Sequence, residues 1–212
     1  MTDRPRAAVL LDLDGTLVDS VYHHVMAWDA ALRDHGMPVP FWRIHSGIGM
    51  GSSRLIPWLL GGHVDEAESI AEHHKAGFIK RGHLLRAADG ARALIEDLRV
   101  REVPFQVATS AEPEHREILL QALGEGDVPF TDAESVPSSK PAPDLLLSAC
   151  DDLGADPSAS VLIGDSPWDG EAARRVGMRC IGVRVGGFST KVLLRGGCED
   201  VVDSPKQLVG RL

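Results

Sequence analysis

Four short apolar runs, each ending in small, acidic or hydroxyl-bearing residues, recur along the chain at residues 7–13, 103–108, 160–163 and 179–185. Runs of this length, apolar on both sides of the pleat, suit strands buried on both faces, which is the condition of a parallel sheet. Helical patterns separate them at residues 89–100, 112–123, 143–153 and 168–176, and Gly124, Gly154 and Gly177 stand where helix stops belong. Strands alternating with helices predict an α/β chain with a doubly wound parallel sheet. In such a sheet the C-terminal ends of the strands open onto the site, so the residues that end these runs carry the first functional expectation.

Residues 19–86 break the rhythm: helical pattern continues, but no core strand can be read there. They predict an inserted α-helical cap between core segments 1–18 and 87–212, with hinges at residues 18–19 and 86–89. Eight of the nine histidines fall in the insertion, among them His23, His24, His73 and His74. Adjacent helical residues do not share a face, so most of these rings are expected to be solvated. The glycine-rich loop at residues 44–54, which includes Gly47 and Met50, can either approach a ligand closely or serve only as a flexible interhelix connection.

Composition narrows the partners. A formal charge of −9 opposes broad attraction to nucleic acid or to an anionic membrane surface, and an anionic substrate therefore needs a local positive device such as a metal. The three cysteines, Cys150, Cys180 and Cys198, form no C-x-x-C pair and read as buried or idle thiols. The N-terminal stretch meets the carboxylates of Asp12 and Asp14 before any long apolar run develops, which fits neither a signal peptide nor a membrane span. A cytoplasmic monomer or weak homo-oligomer is the resulting expectation.

Residues two apart on a strand start toward the same side, so Asp12 and Asp14 concentrate two carboxylates at one strand end. Their repulsion is costly in a partly dry site unless a cation intervenes or one carboxyl takes a proton. By itself the motif is also a common turn. Thr109 and Ser110 end the second run and precede a helix, where hydroxyls and amides can meet phosphate oxygens. Lys140 stands beside prolines that immobilise its backbone, and its ammonium can offset phosphate charge. Asp165 and Asp169 follow the third run and offer two more carboxylates, although acids at a helix start are also ordinary caps.

In this order the four stretches resemble the four motifs of the haloacid dehalogenase superfamily, and the resemblance spans essentially the whole chain. It is nearest to members with a helical cap after the first strand, a group that includes phosphoglycolate phosphatase-like and beta-phosphoglucomutase-like enzymes. The resemblance implies Asp12 as nucleophile and Asp14 as general acid and base. Thr109 and Lys140 would bind the transferring phosphoryl group, with Ser110 assisting. Magnesium would be held by Asp12, Asp165 and the main-chain carbonyl of Asp14, and through water by Asp169. Dehalogenases of this superfamily lack the second aspartate, so Asp14 implies phosphoryl transfer. The expected activity is magnesium-dependent hydrolysis of a small phosphorylated metabolite through an aspartyl phosphate. A sugar-phosphate mutase is the enzymatic alternative, because His24 and Trp28 fall where such a cap places a histidine and a tryptophan. Glu112 and Met50 stand near positions where mutase-like sequences present basic residues, which favours hydrolysis. A non-catalytic binding module is the remaining alternative, opposed by the intact Asp12, Asp14, Lys140 and Asp165.

Overall fold

The computed structural model describes residues 6–131 and 142–212. Strand β1, Val9–Leu11, lies inside a five-stranded sheet with β4 (Phe105–Val107) on one side and β5 (Val161–Gly164), β6 (Arg179–Val183) and β7 (Asp200–Val202) on the other. Every pairing in that sheet is parallel. The order reverses direction at β1, which makes the end of β1 the topological switch point where an open α/β sheet gathers its ligand.

Side chains alternate across the sheet with a period of two. Val9 and Leu11 of β1 join a cluster with Leu94, Ile95 and Leu98 of α5 (Ala91–Val100) and Leu119 and Leu123 of α6 (Pro113–Leu123). Leu10 faces the opposite way, toward Leu145, Leu146 and Ala149 of α7 (Asp144–Leu153) and Ala172 and Ala173 of α8 (Pro167–Arg175). The strands are thus buried on both faces, which is why they read as unbroken apolar runs. Left-handed Gly124 and Gly154 close α6 and α7.

Four helices fill the insertion: α1 (Val21–Asp34), α2 (Phe41–Gly47), α3 (Ser52–Leu60) and α4 (Ala67–Arg81). They close on their own apolar cluster, including Val25, Trp28, Leu32, Ile44, Leu55 and Ile70. Two short strands frame them: β2 (Val18–Asp19) pairs antiparallel with β3 (Arg86–Ala87). Both points at which the chain leaves and re-enters the core are therefore tied together by one ladder.

Beyond the strands and helices read in the core sequence, strand β7 and helix α9 (Thr190–Gly196) extend the sheet and its cover; residues 190–202 give patterns too short to announce them. The thiols of Cys180 and Cys198 are buried and 3.5 Å apart, so these two cysteines are neighbours in space despite their spacing in sequence. Among the described residues no helix is long and apolar enough to cross a membrane.

Candidate active site

The sheet register brings the reactive ends together. Leu11 lies level with Val107 and Ile163, and two further bonds carry the ladder past the strand ends: Asp12 N to Ile163 O at 2.9 Å and Ala108 N to Leu11 O at 2.8 Å. Asp12, Thr109 and Asp165 are thereby delivered to one rim, all of them buried. The Thr16 hydroxyl is 3.1 Å from both Asp12 Oδ2 and Asp165 Oδ1, and spans the two carboxylates. Asp169 completes the group: one carboxylate oxygen from each of Asp12, Asp165 and Asp169 lies within 4.8 Å of the others.

Three buried carboxylates so close repel one another, and hard oxygen donors suit a hard divalent cation better than zinc or copper. The residues present thus fit the metal that the sequence implies. Asp169 has a structural task as well. Its Oδ2 accepts from Ser166 N at 3.0 Å and from Ser166 Oγ at 2.6 Å, a capping box that starts α8.

Asp14 contributes no carboxylate oxygen to that group. The chain turns at Gly15, in the left-handed region at φ 77°, and the Asp14 side chain meets the cap instead. Its Oδ1 accepts from Ser20 Oγ at 2.8 Å and lies 2.8 Å from His24 Nε2. Burial raises the Asp14 pKa, but the charge of His24 and the hydrogen bonds from His24 and Ser20 outweigh it, and the carboxyl sits below its ordinary 3.8.

Two of the eight rings in the insertion depart from the expectation that most cap histidines are solvated. His24 and His74 are buried, and His24 Nδ1 lies 3.0 Å from His74 Nε2. His24 stacks on Phe78 with centroids 3.8 Å apart, and His74 stacks on Trp28 at 3.9 Å. Burial, reinforced by the neighbouring His24 and His115, holds the His74 pKa well below 6.5. His115, from core helix α6, meets both rings edge-on and is also shifted down, first by burial. A third half-buried ring, His45, lies 2.8 Å through Nε2 from the Gly186 carbonyl of the core.

A cleft of about 160 Å³ lies between cap and core, with Asp12, Asp14, Thr109, Ser110 and Asp165 at its base. Thr109 turns its hydroxyl back to accept from Ala111 N at 3.1 Å, and Ser110 is exposed. Helix α6 begins only at Pro113, so neither hydroxyl caps it. Met50 lines the cleft beside Gly49. Gly47 does not line it; a Cβ there would meet Leu55 Cδ1, so it is a packing position between α2 and α3. Lys140 lies outside the described residues.

His74, His115 and Lys75 also line the cleft, and none stood among the sequence candidates. The first had a readable signal. Ile70, His74 and Phe78 fall four apart on α4, so a histidine occupies an apolar stripe, and His24 and Trp28 fall four apart on α1. Two such stripes on helices that pack together bring their polar members into contact. Lys75 gave no such sign, because its partners Glu112 and Glu114 lie on a different part of the fold; its Nζ is 2.8 Å and 3.1 Å from their carboxylates.

Residues 7–177 match the family model described as haloacid dehalogenase-like hydrolase. The chain is 30% identical to the N-acetylmuramic acid 6-phosphate phosphatase of Pseudomonas aeruginosa, across 95% of this chain and 92% of that protein. It is 32% identical to a phosphoglycolate phosphatase of Cupriavidus necator, across 96% and 92% of the two chains. Among solved structures, a hydrolase from Pseudomonas syringae superposes with a TM-score of 0.93 at 34% identity, covering 97% of each chain.

Proposed function

The chain belongs to the haloacid dehalogenase-like hydrolase family, and from that premise we propose that it is a magnesium-dependent phosphatase that hydrolyses a small phosphorylated metabolite through an aspartyl phosphate on Asp12. The observation that carries this reading is the separation of two carboxylates from one motif. Asp12 stands in the buried acidic group with Asp165 and Asp169, whereas Asp14 is held apart by Ser20 and His24.

That separation supports different roles for the pair. In this reading Asp12 attacks phosphorus, and the Thr16 hydroxyl orients it against Asp165. Both polar contacts to Asp14 fall on Oδ1, which leaves Oδ2 to give a proton to the departing alcohol and later to take one from the attacking water. The lowered pKa keeps the carboxyl ionised, the form from which the second task starts. Magnesium, held by Asp12, Asp165 and the Asp14 carbonyl and through water by Asp169, would supply charge neutralisation between the anionic nucleophile and the phosphate. Thr109 and Ser110 at the cleft base, with Lys140, would bind phosphoryl oxygens. The helical cap covers the alcohol end and keeps bulk water from the site.

The phosphatase names of the relatives support hydrolysis over isomerisation, as does the charge of the cleft: the ammonium of Lys75 is committed to Glu112 and Glu114 rather than offered to a second phosphate. Phosphate release in water labelled with heavy oxygen tests the reading. Label in every released phosphate, loss of turnover with chelator and recovery with magnesium are expected. Turnover undiminished in excess chelator would reject the metal, and isomerisation of beta-glucose 1-phosphate outpacing phosphate release would make the enzyme a mutase.

A further inference from the structure

Resting on the phosphatase reading, we infer that the leaving group taken by this cleft is an uncharged or cationic alcohol, of the polyol or amino-sugar class and without a carboxylate, and that Glu112 and Glu114 set this preference by engaging Lys75. Beyond the phosphate end, the cleft runs between α1, α4 and the residues after β4. Among the described residues that line it, Lys75 bears the one permanently positive side chain. That charge is already shared: Nζ lies 2.8 Å from Glu112 Oε2 and 3.1 Å from Glu114 Oε2. Hydrogen bonds to Glu112 and then Glu114 hold the ammonium above its ordinary range.

The remaining groups give an anion no welcome. Glu72 lines the same cleft as Glu112. His74 and His115 are pushed toward the neutral form, first by burial, and His24 already faces Asp14. The rest of the wall at this end is apolar, with Trp28, Ile48 and Leu55. A carboxylate entering here meets like charge and must draw Lys75 away from two partners. Hydroxyl or ammonium groups find carboxylate acceptors instead, and an aliphatic or ring carbon skeleton finds the apolar wall. Discrimination of this kind comes from the repulsive element as much as from the attractive one.

Matched pairs of esters test the inference on the full chain with magnesium: 2-hydroxyethyl phosphate against phosphoglycolate, and glycerol 3-phosphate against 3-phosphoglycerate, with 4-nitrophenyl phosphate as a general reporter. Within each pair the carbon skeleton is kept and a hydroxymethyl group becomes a carboxylate. The hydroxylated member should show kcat/KM higher by roughly tenfold or more, as like charges facing across a partly solvated cleft produce. The ratio should shrink as salt rises. In E112Q/E114Q, which releases Lys75, it should narrow by about fivefold. Preference for phosphoglycolate in the wild type, or an unchanged ratio in E112Q/E114Q, overturns the inference while turnover of 4-nitrophenyl phosphate leaves the phosphatase reading standing. No release from any ester, 4-nitrophenyl phosphate included, overturns both.

Discussion

His24 Nδ1 lies 3.0 Å from His74 Nε2, and the other nitrogen of His24 lies 2.8 Å from Asp14 Oδ1. A carboxylate can only accept, so His24 must carry its proton on Nε2 when Asp14 is ionised. His74 closes the other side of the ring, and Trp28 and Phe78 hold both imidazoles by stacking. On the proposed reaction His74 acts through His24, as a positioning residue for the His24–Asp14 contact.

Replacing His74 should therefore affect the proton transfer more than the fold of the site. H74F is predicted to lower kcat on alkyl phosphates by roughly 10- to 100-fold, within the range that acid–base catalysis supplies. The loss on 4-nitrophenyl phosphate, whose leaving group needs little protonation, should be several-fold smaller, and H74Q should recover part of the alkyl activity. Equal losses on both ester types, tracking a fall in thermal midpoint, would reduce His74 to a packing residue.

On the proposed reaction, Asp12 combines a catalytic task with an electrostatic cost. D12N should lower phosphatase kcat by roughly 10⁴-fold or more, as expected when a nucleophile is removed. The same change takes one charge from the group with Asp165 and Asp169. The metal-free midpoint should then rise by roughly 2–4 °C, the shift that about 1 kcal/mol gives in a chain of this size. Wild-type protein should gain stability with added magnesium, and D12N should gain less. Thermal melts across a magnesium series measure both effects.

The buried histidines predict the direction of the pH dependence of stability. The folded pKa of His74 is depressed well below 6.5, chiefly by burial, and that of His115 is lowered from the same value. The unfolded chain therefore binds more protons than the native one below 6.5, and stability is fully present above that pH and is lost as pH falls toward the folded values. Asp14, depressed from 3.8, adds a second loss only below that value. The thermal midpoint should fall between about pH 7.5 and about pH 5.5, with a shallower slope in H74F. A slope identical in the two proteins would place the titration elsewhere.

Gly49 tests the seating of the cap loop on the core. It is left-handed at φ 99°, and an added Cβ would lie 2.7 Å from Ser166 Oγ and 3.0 Å from Trp168 Cδ1. G49A should strain the loop and lift it from Ser166. A backbone cost of about 1–2 kcal/mol corresponds to roughly 5- to 30-fold in kcat/KM if closure is required for turnover. Steady-state kinetics on one alkyl ester would show it, and unchanged kinetics would mean that the loop need not close there.

By itself, the sequence determined the parallel core and the acids at its rim, because buried strands have a local signature: short apolar runs that end where the chain meets solvent and ligand. Asp12 and Asp165 could be read from their places after such runs, and the parallel register then brings them to one edge. The two-stranded ladder of Val18–Asp19 with Arg86–Ala87 was too short to carry a pattern, and three-residue β7 was likewise too short. Only the tertiary structure decided that Asp14 leaves the acidic group for Ser20 and His24, since a single turn at Gly15 overrides the strand's period of two. The same holds for His24 meeting His74 and for Lys75 meeting Glu112. Each depends on helices distant in sequence packing face to face, and side-chain direction across such an interface is set by the packing of both partners, which neither helix encodes alone.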